Sequence, residues 1–223
     1  MISSSDRKTR TKHLENLNPL LVEGNDDLYL TGELADQAAL PDCFYIHVCD
    51  GYPKILSNLE TRLKAGTYQK LGVVLDADTN ISKKWVRIKE ILEKYGFVLE
   101  GWPNGKAYIE SNKSKKIGIW IMPDNNTEGE LEDFFLGFIP KKDDLIRPIN
   151  EALDRLEKEK LNRYTKRTKA LVLTWLAWQE ESGMPMGKSI KNYPQLLDLS
   201  SANGYINWLK TLFEDEVLPA SIS

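Results

Sequence analysis

Apolar residues come in short runs that stop at acids. Leu20, Leu21 and Val22 lead into Glu23-Gly24, and Leu71, Val73, Val74 and Leu75 lead into Asp76. Such runs predict buried parallel strands over 20–23 and 71–75. CFYIHVC at 43–49 and IGIWIM at 117–122 predict two more strands. The intervening stretches have the period of a helix. Residues 26–39 place Leu28, Leu30, Leu34 and Ala38 on one side, 54–64 follow a turn at Asp50-Gly51, and 81–95 set Trp85, Ile88, Ile91 and Leu92 at core spacing. This βαβαβα rhythm predicts an α/β, Rossmann-like fold: a mostly parallel, right-handed sheet flanked by helices.

The rhythm changes after residue 96. Glycines 101 and 105 among aromatics suit a hairpin or short inserted strands over 97–110. A helix is predicted over 127–135, opened by a capping box from Thr127 to Glu130, with Glu128 and Glu132 one turn apart on one face. From there the pattern is helical. Residues 142–160 are charged and exposed, 164–181 contain ALVLTWLAW and should pass through a core, 183–187 are a loop, and 205–213 form a last amphipathic helix. The chain thus divides into a polar arm at 1–17, an α/β domain at 18–140 and a helical extension at 141–223 packed on it.

At 223 residues and 41% apolar content the chain can bury one substantial core, with or without an appended subdomain. A net charge of −3 neither demands nor excludes nucleic acid, because local patches decide that. Cys43 and Cys49 make no disulfide framework and suit a reducing cytoplasm. No apolar run is of bilayer-spanning length, and the basic cluster Arg7, Lys8, Arg10 and Lys12 has no hydrophobic region behind it. A cytoplasmic protein without membrane contact is expected.

The acids at the strand ends carry the candidate chemistry. Asp76 and Asp78, two apart in extended chain, point to one side, and Glu23 and Asp27 span one turn at a strand-to-helix junction. Oxygen-only ligands suit Mg²⁺ or Mn²⁺ rather than zinc. Clustered carboxylates resist ionising together unless a divalent ion relieves them. The natural chemistry is attack on a phosphodiester, with ions activating the nucleophile and steadying the leaving oxygen. The plainer account is that strand-end acids only cap helices.

Other readings of the motifs fail or weaken. DADTN begins like a calcium loop, but Ile81 stands where glycine is required and Arg87 where the last glutamate belongs. It also approaches the haloacid-dehalogenase nucleophile motif, with threonine one residue early and on the wrong strand. Cys43, His47 and Cys49 share a strand face without closing a zinc cage. GMPMGKS at 183–189 mimics the end of a P-loop, yet its first glycine is misplaced, proline interrupts it and no strand precedes it.

LLVEGNDD at 20–27, followed by VVLDADTN at 73–80, resembles the first two motifs of the Toprim domain, the catalytic module of topoisomerases, primases and OLD-type nucleases. GELEDFFL at 129–136 and KALVLTWLAWQEESGMPMG at 169–187 resemble a bacterial Toprim-like group related to the OLD nucleases. The likeness covers the α/β part to about residue 138 and, more loosely, the helical tail. It implies Glu23 as metal ligand or general acid/base, with Asp27, Asp76 and Asp78 as metal-binding acids. Glu128 and Glu132, with Asp133 beside them, would supply the third acidic element. OLD-type enzymes also use a lysine against transition-state charge; Lys169 matches best and Lys166 second, although either can be a solvated helix-end lysine. Lacking a topoisomerase tyrosine context and a primase zinc module, the chain fits a nuclease better than either.

The resemblance therefore implies a Mg²⁺- or Mn²⁺-dependent nuclease acting on DNA or RNA, with Glu23, Asp76 and Lys169 catalytic. Lys113, Lys115, Lys116, Lys166 and Arg167 would hold phosphates at the rim. An ABC-type ATPase on a separate chain would be the regulatory partner, in a phage-defence setting, and a homodimer is left open. Two rivals stand beside it: a Toprim-shaped binding module without catalysis, for which Ile81 in place of the primase glycine speaks, and a small-molecule phosphatase.

Overall fold

A computed structural model describes residues 18–98, 108–112 and 114–214. The arm at 1–17, most of the segment at 97–110, Lys113 and residues 215–223 lie outside the described residues. The strands β1 (Pro19–Val22), β2 (Tyr45–Val48), β3 (Lys70–Asp76), β4 (Tyr108–Asn112) and β5 (Lys115–Met122) form one sheet in the order β2-β1-β3-β5-β4. All neighbours pair in parallel except β4, an antiparallel edge strand on β5. The helices are α1 (Asn25–Gln37), α2 (Tyr52–Ala65), α3 (Ile81–Lys94), α4 (Leu131–Leu136), α5 (Ile146–Lys158), α6 (Arg167–Ala177), α7 (Met186–Asn192) and α8 (Asn203–Phe213). The fold is α/β, with a mostly parallel sheet flanked by helices.

Strand alternation sends side chains into two cores. Leu21, Val73, Leu75, Ile119 and Ile121 meet the buried residues of α2 and α3, among them Ile55, Leu59, Trp85 and Ile88. Leu20, Val22, Val74, Trp120 and Met122 face the other way, against α1 and the helices after β5. The C-terminal helices thus complete the second layer of the sheet. Burying each Leu or Phe there contributes roughly 1.5–3 kcal/mol.

Two strand glycines let α8 lie directly on the sheet. Gly72 and Gly118 are register partners. A Cβ at Gly72 would stand 2.5 Å from Leu20 Cδ1, and one at Gly118 would stand 2.7 Å from Leu212 Cδ2. Glycine inside a strand marks such a close approach. Gly187 does the same between helices, since a Cβ there would meet the Tyr29 carbonyl carbon at 2.4 Å. It belongs to α7, which begins within the last two residues of the loop expected at 183–187, and Met186 and Ile190 bury its apolar side.

The apolar stretch at 164–181 forms a shorter helix than expected and is buried on one side only. Leu171, Val172, Trp175 and Leu176 are in the core, while Leu173 and Trp178 face solvent. Its neighbour α5 covers part of the remaining circumference, with Ile149 and Leu153 buried. Among the described residues no helix is long and apolar enough to cross a membrane. Cys43 and Cys49 are free thiols.

The connection from β1 runs to β2 on one side of it, and β3 lies on the other. The crevice at the C-terminal ends of β1 and β3 is therefore a topological switch point, where open α/β sheets place ligands.

Candidate active site

Glu23 is the first residue after β1, and Asp76 ends β3. The Asp76 backbone N–H donates to Glu23 Oε1 at 3.0 Å, so the two acids stand side by side across the switch point. Asp27 joins them from the first turn of α1. Its Oδ2 accepts from the Gly24 N–H at 2.9 Å, and the residue is only 6% exposed. Asp76 Oδ1 is buried and has no hydrogen-bond partner. A buried acceptor left unsatisfied costs roughly 1–3 kcal/mol, more when charged.

The electrostatics follow from this crowding. Burial, and then the charges of Asp27, Glu23, Glu130 and Asp78, push Asp76 up to about 8. Burial raises Asp27 to about 7, with Glu23 adding to it against the Gly24 hydrogen bond. Glu23 is also raised, chiefly by burial, although the Asp76 N–H and Lys84 oppose the shift. At neutral pH Asp76 and Asp27 retain protons that exposed carboxylates would have lost, and Glu23 is shifted in the same direction.

A second set of acids is neutralised by lysines. Asp78 has φ +53°, a left-handed conformation that Asp tolerates better than most residues. Its N–H and carbonyl pair with the Gly129 carbonyl and N–H, both at 2.9 Å, which draws the 129–130 segment to the end of β3. Lys84 Nζ lies 2.6 Å from Asp78 Oδ2, and Lys166 Nζ 3.5 Å from Oδ1. Burial raises the Asp78 pKa, but Lys84, the hydrogen bond with Glu130 and the charge of Lys166 together outweigh it, and the group ends below the usual range. Lys166 also ion-pairs with Glu130. Lys169 Nζ stands 2.5 Å from Glu132 Oε1, with Glu132 buried. The hydrogen bond to Glu132 raises Lys169, and Glu130 and Asp78 raise Lys166 against its burial.

Glu128 is not brought to the site's helix. It is exposed in a bend, because α4 begins at Leu131 rather than Thr127. The bridge to Asp78 and the φ of +148° at Gly129 hold this segment out of helical geometry. The cap that forms instead is Asp133 Oδ2 accepting from the Glu130 N–H at 2.8 Å. Arg167 is engaged with Asn150, Asp154 and Glu157, bridging α6 to α5.

Lys115 and Lys116 lie at the opposite end of the sheet. Lys116 pairs with Lys70 while Met122 pairs with Asp76, which is six residues or roughly 20 Å along the strand. Their ammonium groups donate to the Gly66 and Thr211 carbonyls. They do not line the rim of the acids.

Among the described residues no group of three or more His, Cys, Asp and Glu side chains stands ready-made in metal-ligand geometry. The donor chemistry nonetheless suits a hard divalent cation. Glu23, Asp27 and Asp76 are oxygen donors crowded together, and one buried oxygen, Asp76 Oδ1, has nothing to bond. Residues 17–214 match a family described as "Protein of unknown function (DUF3226)". The chain belongs to the DUF3226 family. No curated protein and no solved structure matches it.

Sequence reasoning missed Glu130 and Lys84 in this DUF3226 site. Glu130 had a signal: Asp133 follows it by three, as Asp27 follows Gly24, and an acid at the third helical position reaches back to the cap N–H in both helices. Lys84 had none, because six residues separate it from Asp78 across a turn that no periodicity rule covers.

Proposed function

We propose that this DUF3226 protein is a Mg²⁺- or Mn²⁺-dependent nuclease that hydrolyses nucleic-acid phosphodiester bonds. The observation that carries the reading is the pairing of Glu23 with Asp76 at the switch point, beside an Asp76 oxygen that has no partner. Glu23, Asp27 and Asp76 would hold the cation, which supplies charge stabilisation and a more acidic water. In hydrolysis, the water oxygen bonds to phosphorus, one ester P–O bond breaks, one proton passes to a carboxylate and the leaving oxygen is protonated. Glu23, which stands beside Asp76 at the switch point, is our candidate for that acceptor. Lys166, already facing Asp78 and Glu130, is better placed than Lys169 to meet charge on the phosphate oxygens.

Glu23→Ala and Asp76→Ala should each lower manganese-dependent cleavage of a labelled DNA or RNA oligonucleotide on the order of 10³-fold, with circular dichroism unchanged. Undiminished cleavage in both variants removes the mechanism. The same resemblance to OLD-type nucleases proposes an ABC-type ATPase on a separate chain as the regulator, in phage defence; co-purification with such a partner tests it. A second reading, a Toprim-shaped binding module without catalysis, is favoured by the lysines on Asp78, Glu130 and Glu132. Nucleic-acid binding without divalent-ion uptake would select it.

A further inference from the structure

The lysines around the acids differ in how firmly they are held. Lys166 and Lys169 come from the start of α6, and their side chains are 38% and 53% exposed. Lys84 projects from the first turns of α3 and is only 12% exposed. Its ammonium is gripped from two directions, by Asp78 Oδ2 at 2.6 Å and by the Tyr52 ring, whose centroid is 3.8 Å away. A desolvated ammonium over an aromatic face is held more strongly than an exposed one.

Asp78 is fixed in turn. Its backbone is tied to Gly129 by hydrogen bonds in both directions, which fixes the point from which its carboxylate reaches Lys84 and Lys166. The charge of Lys84 also acts on Glu23, on the inner side. Among the described residues no lysine or arginine makes an ion pair with Glu23, Asp27 or Asp76. The inner acids thus lack a cation that the Asp78 side already possesses.

We propose that Lys84 is the resident cation of the Asp78 side of the site, so that the protein takes up one divalent ion, at Glu23, Asp27 and Asp76, instead of two. This rests on the metal-dependent reading above. Two-ion sites place their metals roughly 4 Å apart and share carboxylates between them. A second ion on Asp78 would have to sit against an ammonium that is largely shielded, stacked on Tyr52 and already bonded to the same carboxylate. Like charges at that separation repel, and the repulsion grows as the ammonium is shielded from water. Lys84 therefore acts as a positioning residue: bonded to Asp78 and stacked on Tyr52, it fixes where that carboxylate points and sets the ion count.

The test is isothermal titration of the full chain with MnCl₂, with the bound ion counted independently by manganese electron paramagnetic resonance. Wild type should bind one Mn²⁺ per chain, Lys84→Met two, and Lys84→Arg one again, since guanidinium restores a stacked cation. A merely structural lysine would change affinity or folding in K84M without adding an ion. Two ions on wild type, or one on a folded K84M, overturn the proposal while leaving the nuclease reading intact. No uptake by wild type removes that reading and this one together. If K84M does not fold, Lys84→Gln serves as the second variant, and the wild-type count still decides.

Discussion

The two ends of the sheet are built on opposite terms. At the start of β3 and β5, Lys70, Lys115 and Lys116 donate to the Phe213, Gly66 and Thr211 carbonyls, which lie at or near the C-terminal ends of α8 and α2. Cations there meet helix ends whose carbonyls would otherwise be unpaired. At the other end, Glu23, Asp27 and Asp76 crowd into a buried crevice, and one Asp76 oxygen bonds nothing. The first arrangement satisfies every charge it uses. The second stores unfavourable electrostatics at the switch point, and such tension is tolerated where a ligand relieves it. The difference teaches which end to substitute for stability and which for activity.

The largest effect on folding should come from neither end. Gly187→Ala drives a methyl into the Tyr29 backbone and should cost about 3 kcal/mol or more, read as a lowered midpoint in urea. A near-neutral result would mean that α7 is not seated on α1, and the platform under Asp27 would then be looser than described.

Next in size is a stabilisation. Asp76 stands near 8 and Asp27 near 7 in the fold, both above the usual carboxylate range. Raised folded values mean that the native state binds extra protons. Their contribution is complete below about pH 4 and is lost as pH rises through about 7–8. Metal-free protein should therefore lose stability across that window. Asp76→Asn should flatten the profile and raise stability at pH 8 by about 2 kcal/mol in thermal melts with chelator. A flat wild-type profile would erase the contrast between the two ends.

The smallest effect belongs to the satisfied end. Lys116→Met should cost roughly 0.5–1 kcal/mol by removing its bond to the Thr211 carbonyl, with no change in cleavage or in oligonucleotide affinity. A loss of affinity at this position would return the far edge of β5 to the nucleic-acid surface.

The sequence by itself determined the strands that end in acids and the mostly parallel order they imply. Local periodicity reports burial directly, and Leu20–Val22 and Leu71–Leu75 are buried throughout. It also singled out Glu23, Asp27, Asp76 and Asp78 as a group, because a parallel sheet sends its strand ends to one edge. Only the tertiary structure decided how that group is divided. The Asp78–Gly129 bridge displaced the start of α4, left Glu128 in solvent and brought Glu130 inward. Lys84 reached Asp78 across a turn, and Lys166 and Lys169 reached Glu130 and Glu132 from a helix far along the chain. Likewise, Lys115 and Lys116 read as a basic cluster until the register of β5 set them at the end away from the acids. Spacing along a chain fixes which face a residue takes within its own element; which charge stands opposite is fixed only when the elements pack.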